Sequence, residues 1–424
     1  MLLLKTSYWK LLLCVQIILF VLCAHALAGS WSSLGEGLGG TVGSLTVYGD
    51  SLIAGGFGLS PQKIAAWNGS SWNSLGPGAY DGPVNCLALY ESTLVIGGTF
   101  DTAGGVAADN ITSWNRTSFS PLGSGTDNTV EALAVFKGRL FAAGRFNQAG
   151  GVEVGFIAAW NGNSWSAIPG TNSYIFDLTV YNDTLHDDTL LVAGGWFTEA
   201  GGVPANHVAA WDGNSWRALG SGMNDGIYAL TTYEDKLIAG GGFTIAGGLP
   251  AIHIAAWNGS EWDTLDHGLN GPGVDTWVYG LGVYKDLLIA GGGGFTVAGS
   301  NCIGAWNGSS WLPLGSGMNG PMPYVFALTV YKGRLVASGS FSTAGGVVSP
   351  SIAVWTECGD ANGDGTVNIS DAVSLIAYIF SGGPAPSPLL AGDANCDSAV
   401  NISDAVYLIA YIFVGGAAPC AGCK

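Results

Sequence analysis

SGMNDGIYALTTYEDKLIAGGGFTIAGGLPAIHIAAWNGSEW, residues 221–262, is one unit of a repeat that fills most of the chain. ALTTY alternates apolar and polar residues, as a half-buried strand does. KLIAGGGF and HIAAW are the next two apolar runs, and a short fourth run has the form W-x-x-L, as in WRALG at 216–220. Between the third and fourth runs stands Asn258-Gly259, which favours positive φ and so a tight hairpin. Asn68-Gly69, Asn161-Gly162 and Asn307-Gly308 repeat that signal. Each unit therefore reads as four short antiparallel strands. Glycine pairs in the second strand leave room for a neighbouring unit to approach closely.

Two aromatic series count the units. Trp67, Trp114, Trp160, Trp211, Trp257, Trp306 and Trp355 hold one position, and Trp31, Trp72, Phe119, Trp165, Trp216, Trp262 and Trp311 hold the other. Seven units of about 46 residues have the length of propeller blades. The repeat opens on a fourth strand, at Trp31, and ends on a third, at Trp355. Pairing 30–34 with 351–355 would complete the last unit and close a ring, which an open solenoid would not need. The expected fold class is all-β, a seven-bladed β-propeller over 29–356 closed by its N-terminal strand. The double glycine followed by a Trp-containing hairpin resembles kelch-type propellers, including the galactose-oxidase central domain. Two Trp five residues apart and the missing paired Tyr depart from the kelch pattern. The resemblance implies fold and not activity.

The C-terminal stretch duplicates a different unit. GDANGDGTVNISDAVSLIAYIF starts at Gly359 and GDANCDSAVNISDAVYLIAYIF at Gly392. Asp360, Asn362, Asp364, Asn368 and Asp371 occupy positions 1, 3, 5, 9 and 12 of a calcium loop, with the Thr366 carbonyl at 7. Asp393, Asn395, Asp397, Asn401 and Asp404 repeat that register, with the Ala399 carbonyl at 7. Two calcium ions are expected, since one such loop offers the six to eight oxygens a hard cation takes. Each loop runs into one apolar helix, with no helix before it. That duplicate resembles the type I dockerin domain, over 358–424 of a domain read as 357–424. The resemblance implies a small helical calcium-binding module that docks into a cohesin module. Ser398 replaces the turn glycine found at Gly365, so the second site is expected to bind more weakly. On the helices, Val373, Leu375, Ile376, Ile379 and Phe380 match Val406, Leu408, Ile409, Ile412 and Phe413. Spacings of three and four give each helix an apolar stripe, part packed and part left for a partner.

Residues 1–28 read as a signal peptide. Lys5 and Lys10 precede an apolar run, and AHALA offers small residues for cleavage. An exported address suits the net charge of −17, which disfavours nucleic acid and anionic membranes as partners. Six cysteines follow the leader, and a bridge from Cys358 to Cys420 or Cys423 would staple the C-terminal module.

Ligand chemistry is expected on the face carrying the long loops, opposite the tight Asn-Gly turns. His267, Asp275, Trp277, Tyr279 and Tyr324 lie in two atypical loops there. They could contact sugar or simply pack the central channel. His207, His253 and His267 permit a three-His metal site, although the first two look like ordinary loop ends. Asp81, Asp127, Asp225 and Asp275 are the loop acids from which a glycosidase pair would come. His186, Asp187 and Asp188 extend a tight-turn hairpin, and solvated acids are expected there. The preferred reading is a secreted, non-catalytic propeller that binds a carbohydrate or protein. Its dockerin tethers it to a cohesin-bearing partner. The alternatives are a dockerin-borne glycoside hydrolase or lyase in polysaccharide catabolism, and a pure interaction platform.

Overall fold

A computed structural model of the chain describes residues 29–59, 63–76, 80–271 and 276–419. The expected leader, Asp275, Cys420 and Cys423 lie outside the described residues. The chain divides into two compact units, one of them Trp31–Trp355 and the other containing everything from Thr356 onward.

The first unit is all β. Among the described residues it holds seven four-stranded antiparallel sheets. A typical sheet runs Ile227–Tyr233, Lys236–Gly241, Ile254–Trp257 and Trp262–Thr264 in chain order. The seventh takes Tyr324–Tyr331, Arg334–Ser340 and Ile352–Glu357 from one end of the unit, and Gly29–Ser33 from the other. The first strand of every sheet packs on the first strand of the next, and Tyr324–Tyr331 packs back on Thr41–Tyr48.

Side chains repeat that circuit. Trp262 donates its indole N–H to the Leu219 carbonyl of the preceding sheet at 2.8 Å, and Trp165 does so to Leu122 at 2.8 Å. Trp31 donates to Leu314 at 2.9 Å, 283 positions away, and Trp72 donates in turn to Leu34 at 2.9 Å. Phe119 has no N–H to give, and its ring instead meets Tyr80 edge-on at 5.7 Å. The Trp31–Trp355 pair, at 5.2 Å, reproduces the pair that each hairpin makes internally, such as Trp257–Trp262 at 5.4 Å. Tyr331 hands its hydroxyl to Asp50 as Tyr233 does to Asp286.

The glycines of the second strands are where sheets touch. A Cβ on Gly55 would stand 2.5 Å from Val84 of the next sheet, and one on Gly240 2.5 Å from Val278. Cores therefore form between sheets: Leu52, Ala54 and Trp67 cluster with Tyr331, Val336 and Val354. Burying such side chains contributes roughly 1.5–3 kcal/mol each.

His207 and His253 are explained by backbone. With Asn110, Phe156 and Ser351 they share one repeat position, held at φ between 64° and 69°. That left-handed corner feeds the third strand, and it tolerates His or Asn better than a β-branched residue. His207 Nδ1 meets the Gly195 carbonyl at 3.2 Å, and His267 is almost fully exposed beside Asp266. His207, His253 and His267 do not gather as a metal site.

Among the described residues the second unit holds two helices, Ile369–Ser381 and Ile402–Val414, and a short 3₁₀ turn, Leu389–Gly392. Asn368 and Asn401 cap their starts in matching capping boxes, and Gly382 and Gly415 end them at φ 68°. Ala372, Leu375, Ala405 and Leu408 form a small buried core. Cys358 and Cys396 are both disulfide-bonded, whereas Cys86 and Cys302 are buried free thiols.

The Trp31 latch sets a stability test. Trp31→Phe keeps most of the volume but loses the hydrogen bond, and should cost about 1 kcal/mol. Trp31→Ala also opens a cavity and should cost roughly 3–5 kcal/mol. Urea unfolding of the full chain, followed by near-ultraviolet dichroism, reads both, and an unchanged midpoint for Trp31→Ala would contradict closure through this strand.

Candidate functional site

Every first strand carries a β-bulge at the same place. Pairing with the second strand slips between Val42 and Ser44, Val84 and Cys86, Val130 and Ala132, and Ile175 and Asp177. It slips again between Ile227 and Ala229, Val278 and Gly280, and Val325 and Ala327. A bulge leaves one residue out of the ladder and re-aims its side chain. The residues left out are Gly43, Asn85, Glu131, Phe176, Tyr228, Tyr279 and Phe326, and all seven line one depression of about 560 Å³. One sheet contributes one wall position.

The walls differ in chemistry. Phe176, Tyr228, Tyr279 and Phe326 come from four consecutive sheets and make one aromatic side. Trp196 and Trp277 extend it, with ring centroids 5.1 Å for Phe176–Trp196, 5.7 Å for Tyr228–Trp277 and 5.3 Å for Tyr279–Phe326. Facing them is a polar side. Arg145 Nε donates to Glu131 Oε1 at 2.6 Å, and Asn85 Nδ2 donates to Glu131 Oε2 at 2.8 Å. The Arg145 guanidinium also lies over the Tyr174 and Phe176 rings, 5.4 and 5.6 Å from their centroids.

A second pocket, of about 230 Å³, shares the seven bulged residues and also reaches Ser44 and Asp177. Asp177 joins two sheets: its carboxylate accepts the Leu178 N–H at 2.8 Å and the Leu230 N–H of the next sheet at 2.6 Å. Burial nevertheless lifts its pKa to about 7, against the pull of those two bonds.

Sequence-selected residues divide accordingly. Trp277, Tyr279 and Tyr324 come together, with Tyr279 and Tyr324 5.9 Å apart. Asp81 and Asp127 do not join them. Asp81 accepts the Asp101 and Thr102 N–H groups at 3.0 and 3.1 Å, and Asp127 those of Asn147 and Gln148 at 2.8 and 2.9 Å. Asn172 and Asn224 brace the same turn in other units. Position 81 or 127 thus needs an oxygen acceptor, and the acid is structural. Asp225 accepts its neighbouring Gly226 N–H at 2.7 Å. In the tight-turn hairpin Asp187 is exposed, but Asp183 is 1% exposed and holds Arg217 at 2.8 Å and His186 at 2.9 Å. The ion pair on this buried carboxylate was not legible, because Arg217 belongs to a strand far along the chain.

The two C-terminal loops match bond for bond. Asp360 accepts the Asp364 and Gly365 N–H groups at 3.0 and 3.1 Å, and Asp393 those of Asp397 and Ser398 at 3.1 and 3.0 Å. Asp371 accepts from the Asn362 and Asn368 N–H groups, and Asp404 from Asn395 and Asn401. All four carboxylates are at most 1% exposed. Burial raises the pKa of Asp371 and Asp404, so each loop concentrates anionic oxygens where water cannot serve them. Such a donor set fits a divalent cation. Asn368 and Asn401 are also the helix caps, accepting from Ser370 and Ser403 at 2.8 Å. Cys396 (φ 61°) and Ser398 (φ 68°) stand in the second loop where the first has Gly363 and Gly365. Ser398 was legible as a departure, and Cys396 was not.

Residues 358–413 match the family model of the dockerin type I domain. This segment is a dockerin type I domain. Dockerins of this type bind calcium and tether their chains to cohesin modules. No curated protein sequence matches the chain. Among solved structures, the computationally designed Ika8 protein is similar over 77% of this chain and 99% of its own, at 15% identity and TM-score 0.48, a likeness too weak to define the fold. No helix among the described residues is long and apolar enough to cross a membrane.

Two tests follow from these geometries. Ser398→Gly in the dockerin removes a left-handed non-glycine residue worth about 1 kcal/mol, so calcium titration should show one binding event tightened about fivefold. Unchanged binding would mean the loop carries no such strain. In the sheets, the folded-state pKa of Asp177 stands above its unfolded value, so the folded form binds the extra proton. Stability contributed by this group is full below pH ~4 and is lost as pH rises toward 7. Melting temperatures of Asp177→Asn should lack that decline, and parallel curves for both proteins would contradict it.

Proposed function

We propose that the chain is an exported, non-catalytic glycan-binding protein that its dockerin holds on a cohesin-bearing partner. In this reading the seven sheets are blades of a closed, kelch-like β-propeller spanning 29–356. The observation that carries it is the row of four bulged aromatics, Phe176, Tyr228, Tyr279 and Phe326, turned onto one depression with Trp196 and Trp277 beside them. Aromatic faces take the apolar faces of sugar rings, while amide and charged groups take the hydroxyls. The first strands begin at this end, so the mouth lies among the long loops.

The tether half of the reading places one calcium ion on six ligand positions in each loop, between Asp360 and Asp371 and between Asp393 and Asp404. The docking face is then the exposed part of the helical stripes. Val373 and Val406 are 59% and 58% exposed and Phe380 and Phe413 both 67%, while Leu375 and Leu408 are fully buried. Exposed apolar groups repeated at matching positions suit a partner surface.

A catalytic reading would need two carboxyl groups free to move protons. Asp81 and Asp127 are spent on turns, Asp177 on two backbone N–H groups, and Glu131 on Arg145 and Asn85. Hydrolysis is therefore the less favoured function.

Trp277→Ala should weaken binding of the best ligand from a plant- and microbial-glycan array at least tenfold, about 1.4 kcal/mol, with the melting temperature held within a few degrees. Equal binding by both proteins, or an array with no ligand, would sink the glycan reading.

A further inference from the structure

The aromatic rings of the mouth share no common plane. Phe176 and Trp196 meet at 84°, Phe176 and Tyr228 at 45°, Tyr228 and Trp277 at 36°, and Trp277 and Tyr279 at 76°. The interior of a polysaccharide chain is read by a flat strip, along which successive sugars stack on coplanar rings. Here the rings come from four consecutive sheets, Trp277 and Tyr279 from a single strand, and neighbouring rings are turned against one another both within a sheet and between sheets. They enclose a spot instead of paving a track.

Facing the rings, the polar side is electrically balanced and still has hydrogen-bonding capacity. Glu131 takes one N–H from Arg145 and one from Asn85. Among the described residues the Asn85 amide oxygen and the two terminal nitrogens of Arg145 make no hydrogen bond, and the Arg145 side chain is 44% exposed. They can accept from and donate to hydroxyl groups. Arg145 offers little net positive charge, because Glu131 cancels it at 2.6 Å. Asp225, beside the Trp277 side of the mouth, adds negative charge, on a chain of net −17. A carboxylated sugar would be repelled.

Resting on the glycan-binding reading, we infer that the mouth takes the terminal unit of a neutral glycan chain, seated end-on within the aromatic wall. Tyr228 and Trp277 stack on it, and Asn85 and Arg145 bind its hydroxyls. The adjoining pocket that reaches Ser44 and Asp177 shares the bulged residues and holds about 230 Å³, less than half the volume of the mouth. The protein would mark polysaccharide ends, which multiply wherever a polymer is being cut.

Isothermal titration of the full, calcium-loaded chain decides this, using neutral β-linked glucan, xylan and mannan oligosaccharides of increasing length beside polygalacturonate fragments. End-on binding gives one protein per chain at every length, an affinity that levels off after the first few units, and no gain for the acidic series. Arg145→Ala and Asn85→Ala should each weaken binding roughly tenfold, about 1.4 kcal/mol. Arg145→Lys, which keeps the charge but not the fork, should recover little of that loss and guards against a folding defect. Stoichiometry rising with chain length would overturn end recognition while leaving glycan binding in place. Tighter binding of polygalacturonate would overturn the neutral class. Glycan binding untouched by either polar variant and by Trp277→Ala would place it elsewhere and overturn both readings, as would no binding at all.

Discussion

A four-stranded sheet of this sequence cannot bury both of its faces, so each depends on a neighbour on either side. The dependence is satisfied only if the last sheet meets the first. What accomplishes this is a single borrowed strand, Gly29–Ser33, with Trp31 against Trp355 and its indole on the Leu314 carbonyl. Remove it and the seventh sheet loses its outer strand, the Leu34 carbonyl loses its place before Trp72, and two inter-sheet cores are exposed together. Those contacts are as tight at the seam as anywhere else in the circuit.

Closure has a second consequence. Seven first strands packed in a circuit bring one register position from each onto a common wall, although those residues run from 43 to 326 in the chain. The β-bulge is what turns that position inward, and it is present in all seven sheets. The residue before each bulge is Val or Ile, and Val278 presses on Gly240, a second-strand glycine of the neighbouring sheet. The bulged residue has no such neighbour and can carry any chemistry. A rigid, uniform frame thus supplies a ring of seven independently variable side chains, and here four are aromatic.

Much of the architecture was legible because it is written in periodic residues. The Trp series, the Asn-Gly turns and the duplicated Asp-x-Asn-x-Asp loops each have a local physical meaning that needs no partner. The strand complementarity between Trp31 and Trp355 was legible too, from the phase difference of two series. What escaped depends on contacts across the circuit. Asp81 and Asp127 looked like free acids because their backbone partners lie 20 positions on, past a whole strand. Phe176, Tyr228 and Phe326 looked like ordinary strand residues, since a bulge shifts the inward–outward alternation by one and leaves no mark in composition. One signal could have found them. The residue after the conserved-looking Val or Ile of each first strand reads Gly, Asn, Glu, Phe, Tyr, Tyr, Phe, while everything around it barely changes.

The central claim is that these seven bulged positions face one axis and form the ligand site. A crystal structure of the full chain with a bound neutral oligosaccharide tests it most directly. The account predicts sugar density inside the mouth, in contact with Tyr228 and Trp277 and within hydrogen-bonding distance of Arg145. Sugar seated on the outer strands or the Asn-Gly turn face, with the mouth filled only by water, would contradict it.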